Sequence, residues 1–256
     1  MLSPLRTVSV LGLLLAASCA SPLQHFSEPL SAPAWSDKGE GTRSVGFSSG
    51  WAFYGAEIEA EGVSGALVDE GVPDTGTDNT GLAPRYGGAV KYGYSVTDSL
   101  SLGFMAEVRN FEADPIAPLT ATLTAKPFST YHLLLTSRYH LAPFGHEDRW
   151  RPFFGVDLGY IPGVDFGSVD VDYPAETGIP SEEVDIKASS YWSMGAMGGA
   201  SYLLRDNLSF DMGALYEWAI TPGEKRLKLE NLGGAEADIE VWPGGFLLFF
   251  GLTWFF

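Results

Sequence analysis

The chain closes on Phe246-Leu-Leu-Phe-Phe-Gly-Leu-Thr-Trp-Phe-Phe256, in which Leu248, Phe250, Leu252, Trp254 and Phe256 set a large apolar group on every second position. Period two belongs to a strand, because successive side chains of an extended backbone point to opposite faces. In a soluble domain so apolar a strand is buried in a sandwich core. The other solution puts the face of Trp254 and Phe256 against lipid.

Composition leaves that choice open. The chain has 256 residues, 45% of them hydrophobic, and no stretch near the roughly 20 consecutive apolar residues of a spanning helix. A transmembrane barrel escapes that test, since its strands alternate. Compartment is clearer. Residues 1–19, with Arg6 as the sole charge before an apolar run from Val8 to Ala17, read as a secretory signal peptide too short to span a bilayer. The single cysteine, Cys19, excludes a disulfide framework. Residues 20–42, rich in Ser, Pro and Ala without period, read as a periplasmic linker.

From 43 to 256 the alternation recurs. Strands are expected near 43–58, 85–96, 99–111, 129–141, 150–162, 189–204, 208–220 and 245–256. The connections between them alternate in length. Those at 97–98, 142–149 and 205–207 are short, whereas 59–84, 112–128, 163–188 and 221–244 are long and read as surface loops. The faces agree from strand to strand. Leu100, Leu102, Phe104, Ala106 and Val108 oppose Ser101, Gly103, Met105, Glu107 and Arg109; Phe154, Val156, Leu158 and Tyr160 oppose Arg151, Gly155, Asp157 and Gly159. A soluble barrel would turn its charges outward, but the charged, glycine-rich face is too small in volume to be an exterior. Aromatics near strand ends, including Trp51, Tyr94, Tyr139, Trp150, Tyr160, Trp192, Tyr202, Trp218 and Trp254, suit two interfacial girdles. The expected fold is all-β: an eight-stranded antiparallel up-and-down transmembrane β-barrel over 43–256, with both termini in the periplasm and the long loops outside the cell.

These residues carry a resemblance. A terminal Phe256 preceded at period two by Trp254 and Leu252 resembles the signal by which bacterial outer-membrane barrels are recognised, which implies outer-membrane lipid and the barrel assembly machinery as partners. SVTDSLSLGF, RPFFGVDLGY and LLRDNLSFDMGALYEW resemble strands and turns of the small OmpA-like, OmpX-like and OmpW-like barrels. The likeness is specific for architecture and weak for function. Ala16-Ala17-Ser18-Cys19 likewise resembles a lipobox with alanine in place of the usual leucine, so Cys19 is either lipidated or removed by ordinary cleavage nearby.

The net charge of −17 sits mainly in the four long connections, which hold twenty acids and five bases. Nucleic acid is excluded as a partner, because a phosphate polymer needs a basic surface. Divalent cations suit the carboxylates chemically, although Asp170, Asp172, Glu182, Glu183 and Asp185 lack EF-hand spacing; solvated acid is the plainer reading, and no metal ligands are assigned. Inward charges are expected at Arg85, Lys91, Glu107, Arg109, Arg138, Arg151, Asp157, Asp211 and Glu217, with His132 and His140, paired across the lumen because an enclosed single charge is costly. They make a structural plug or, by partner exchange among Glu107, Arg109, Lys91 and Glu217, a gate. Inward apolar groups are Met105, Leu134, Phe153, Met197, Leu215, Leu247, Phe249 and Phe255, which fill the lumen or, as the OmpW-like resemblance implies, line a passage for small hydrophobic molecules. No cofactor is expected. Catalysis is not expected either, since the lipid A deacylases, which resemble this architecture, carry His-x-Ser on a strand, and the only such motif here is His25-Phe26-Ser27 in the linker. Two functions stand: a non-enzymatic surface or interaction protein with a small gated pore, and a carrier of small hydrophobic compounds.

Overall fold

A computed structural model describes residues 35, 38–64, 75–84, 86–117, 122–173, 175 and 178–256. The segment expected to be a signal peptide, Cys19, most of the expected linker and Arg85 lie outside them. The strands are β1 (Arg43–Ser64), β2 (Thr75–Pro84), β3 (Tyr86–Ser95), β4 (Leu100–Ala113), β5 (Thr122–Ala125), β6 (Phe128–His140), β7 (Trp150–Ile161), β8 (Val164–Asp172), β9 (Glu182–Ala188), β10 (Tyr191–Arg205), β11 (Leu208–Ala219), β12 (Gly223–Leu229) and β13 (Ala235–Phe255).

Eight of these form a closed antiparallel ring in the order β1, β3, β4, β6, β7, β10, β11, β13, and β13 pairs back onto β1 from Ser44–Phe255 upward. Arg43 and Phe256 exchange backbone hydrogen bonds of 3.0 and 2.9 Å, so the C-terminal strand that opened the sequence argument is the one that closes the barrel. The start of β1, the end of β13, and the short turns between β3 and β4, β6 and β7, and β10 and β11, lie at one end of the ring, called here the terminal end.

The inside-out rule holds around the ring. Leu135 is 60% exposed and Val156 56%, as are Phe104, Leu133, Phe154, Tyr216 and Leu248 to lesser degrees, while their strand neighbours are buried or half-buried. Such a belt is stable only where hydrocarbon covers it. Inside, small residues stand opposite large ones. A Cβ on Gly199 would come within 2.7 Å of the Phe153 ring, and one on Gly213 within 2.7 Å of the Phe249 ring, so glycine is what lets these two rings enter an eight-stranded lumen.

The long connections correct the expectation of loops. β1 continues past Tyr54 to pair with β2 through Glu61–Thr75, β12 pairs with the first half of β13, and β5, β8 and β9 form a three-stranded sheet. Reciprocal contacts of Ser189 with Glu224, both 2.9 Å, and an Ile116–Leu123 bridge link these pieces into a wall above the ring. Its interior is a second apolar core of Ala56, Ile58, Ala60, Val169, Val171, Ile186, Leu227, Leu229, Ala237 and Ile239. The physical reason is an inversion of the pattern without a change of period. In EIEAEG and AEADIEV the acids take the outward positions that Trp51 and Phe53 hold lower on β1, and the apolar residues stay inside. Acids that read as solvated loop are the solvated face of strands.

Candidate functional site

A row of ladder partners runs across five strands: Asp157 opposite Gly195, Gly195 opposite Glu217, Glu217 opposite Gly245, and Gly245 opposite Tyr54. The intervening glycines leave room for the polar side chains on the inner face. Arg109, 1% exposed, reaches this row from β4. Its guanidinium lies 2.8 Å from Glu107 Oε2 and 2.8 Å from Glu217 Oε2, donates to the Tyr54 hydroxyl and stands 5.0 Å over the Tyr54 ring. Tyr54 in turn donates to Glu217 Oε2 at 2.9 Å. His132 Nδ1 is 3.5 Å from Glu217 Oε1, and its Nε2 is 2.8 Å from Thr130 Oγ1. One cation thus serves two carboxylates in a dry setting, an arrangement that holds only because each member has its partner.

Nearer the terminal end a second cluster forms. Asp211 binds Lys91 Nζ and accepts from Ser209 Oγ at 2.9 Å and Thr253 Oγ1 at 2.7 Å. Arg138 lies over the Phe153 and Phe249 rings, 4.9 and 5.9 Å from their centroids. Arg151 donates to the carbonyls of Asp98 and Leu141. His140 Nε2 is 3.0 Å from Ser101 Oγ.

The sequence-predicted residues therefore divide. Glu107, Arg109 and Glu217 come together, with His132 beside Glu217. Lys91 does not join their exchange set, because the register places it beside Asp211 instead. Asp157 and Arg138 do not pair: both Asp157 oxygens and Arg138 Nε have no hydrogen-bond partner among the described residues. The two side chains stand on adjacent strands at diagonal positions, since Gly155 faces Arg138 and Thr136 faces Asp157. The rings take the guanidinium. Met105, Leu134, Met197, Leu215 and Leu247 are buried, and Phe249 is partly buried. Tyr54 and Trp35 were missed. Tyr54 extends the inward run Gly50, Ala52, and could have been found by carrying that parity along β1; Trp35 gave no periodic signal.

Two cavities flank the Arg109 cluster. The lower is lined by Lys91, Met105, Glu107, Arg138, Asp157, Met197 and Phe249 among others. The upper, the roomier of the two, has Tyr54, Thr130 and His132 at its floor and walls of Ile58, Leu82, Phe111, Phe128, Val164, Phe166, Ile186 and Ile239. The ion cluster is the partition between them. Beside the upper cavity the wall is incomplete: the β6–β7 ladder stops at Leu133–Tyr160, and above it Pro162 and Gly163, with φ +126°, turn the chain away into β8. Residues 128–132 of β6 have no ladder partner on that side, and the Phe128 and Phe166 rings, 4.7 Å apart, close the seam. Among the described residues no group of three or more His, Cys, Asp and Glu gathers closely enough to hold a metal.

No protein-family model matches the sequence, and no curated protein matches it. Solved structures do. The outer membrane protein OprG from Pseudomonas aeruginosa is similar over 85% of this chain and 97% of its own, at 15% identity and a TM-score of 0.55. Outer membrane protein AlkL in lipid bilayers matches over 90% and 95%, at 15% identity and a TM-score of 0.46, and Neisserial surface protein A over 84% and 99%, at 16% and 0.40. The fold is that of the small eight-stranded outer-membrane β-barrels. What this chain adds to the ring is a walled apolar cavity standing on a buried ion cluster.

Proposed function

We propose that the protein is a bacterial outer-membrane barrel that takes up small apolar molecules from outside the cell and passes them sideways into the bilayer. The reading puts the terminal end in the periplasm and the walled end outside. The observation that carries it is the upper cavity, whose walls are almost wholly apolar and whose floor is a sealed ion cluster. An apolar solute gains by leaving water for such walls, but would have to cross paired charges to continue down the axis. The seam between β6 and β8, closed by two aromatic rings and no backbone ladder, is a part of the wall that can open without breaking strand hydrogen bonds. The same partition weighs against the gated axial pore, since opening it means separating Arg109 from two carboxylates.

The experiment is binding of N-phenyl-1-naphthylamine, an apolar amine that fluoresces in dry sites, to the refolded full chain. Saturable enhancement is expected, weakened about tenfold by Ile239→Asp, which sets a carboxylate in the cavity wall. Absence of saturable binding in the wild type sinks the uptake reading, and conductance in planar bilayers that Glu217→Ala raises would favour the pore instead.

A further inference from the structure

The residues just before β1 do more than lead into it. Trp35 is 5% exposed, although it precedes the barrel by eight positions. Its indole Nε1 donates to the Arg149 carbonyl at 2.8 Å, its ring meets Phe255 edge-on at 5.8 Å, and the Arg151 guanidinium lies 5.6 Å from it. In the ring order β7, which starts just after Arg149, is the fourth strand from β1 in either direction. The Trp35 indole therefore reaches the side of the barrel opposite the strand it precedes, and lies across the mouth at the terminal end.

The crossing is anchored at both sides. Near β1 the Gly41 N–H donates to the Ser95 carbonyl at 2.8 Å, Ser95 N–H to the Thr42 carbonyl at 2.9 Å, and Glu40 N–H to Asp98 Oδ1 at 3.1 Å. From the far side Arg151 comes back beneath the indole to the Asp98 carbonyl. Indole and guanidinium together roof the mouth, each held by the turn that the other side presents.

We propose that Trp35 with residues 38–42 is a strap that seals the terminal mouth of the barrel against water-soluble molecules. It is a second closure, independent of the Arg109 cluster and of what the upper cavity binds. The indole excludes water by filling the space between Phe255 and Arg151, and the turn at Asp98 touches both strap and guanidinium, its carboxylate accepting from Glu40 N–H and its carbonyl from Arg151. Displacing the strap uncovers the lower lumen from that end alone.

The test is thiol accessibility just inside the mouth, in the full chain with Cys19→Ser so that one thiol is present. Ser209→Cys supplies the probe, because Ser209 is fully buried near the start of β11 opposite Thr253. A charged, membrane-impermeant methanethiosulfonate reagent should label it slowly when the strap is intact, about tenfold faster in Trp35→Ala, and about threefold faster in Asp98→Ala, which removes the carboxylate that accepts from Glu40 N–H but keeps the carbonyl that accepts from Arg151. Trp35→Phe, which keeps a ring against Phe255 but loses the hydrogen bond to Arg149, should fall between. Folded protein is selected by its unheated gel mobility, and Asp98→Ala, in an exposed turn, decides the matter if Trp35→Ala fails to fold. Unchanged labelling in the folded variants overturns the strap. Because no apolar ligand enters the assay, that outcome leaves the uptake reading untouched.

Discussion

Arg109 and Asp157 are both inward, both buried and both ionisable, yet their surroundings make opposite demands on them. Arg109 has two carboxylates and a phenol within reach, so replacing it with methionine strands Glu107 and Glu217 in a dry lumen and should cost about 3–5 kcal/mol. Asp157 has no hydrogen-bond donor among the described residues, so Asp157→Asn removes a charge that nothing bonds and should be neutral or stabilising by about 1 kcal/mol. Urea midpoints of the refolded barrel compare the two. Equal losses would show that Asp157 is bonded in solution as firmly as Arg109. That Glu107, Arg109 and Glu217 face inward was legible from alternation. Which of them touch was not, because contact across a lumen depends on register between strands, and a shift of two residues keeps every face while changing every partner.

At the scale of elements, the barrel depends on where strands approach closely and on where they part. β10 and β11 come together at Gly199, where an added Cβ would lie 2.2 Å from the Met212 carbonyl oxygen, a backbone atom that cannot step aside. Gly199→Val should therefore abolish the heat-modifiable gel shift that marks folded barrel, and a normal shift would show that the strands have slack. β6 and β8 part at the seam, so Phe166→Ala should speed passage of an apolar probe from the cavity into surrounding lipid while the folded mobility is kept. An unchanged rate would remove the sideways exit. Eight barrel strands were expected and eight are found, most within two residues of the expected bounds. β1 and β13 overrun them by six and ten residues, because Glu59 and Glu61 on one and Glu236, Asp238 and Glu240 on the other disguise strand as loop.

The whole molecule is a closed ring, apolar outside, beneath an open wall of opposite polarity, apolar inside, with β1 and β13 running through both. The full chain should migrate faster unheated than boiled in the outer-membrane fraction, whereas a protein free in the periplasm would show neither the shift nor the fraction. Lipidation at Cys19 would add a second anchor: palmitate labelling should vanish in Cys19→Ala, and labelling that persists refutes it. The sequence by itself determined the ring of eight, the direction of its faces and the closing role of Phe246–Phe256, because period two and side-chain polarity are local properties written residue by residue. Only the tertiary structure decided that acidic connections wall an apolar cavity, that one arginine divides the lumen, and that Trp35 crosses the mouth. Those features join residues far apart in the chain, and closing a ring sets their distances through register and shear, which no single strand contains.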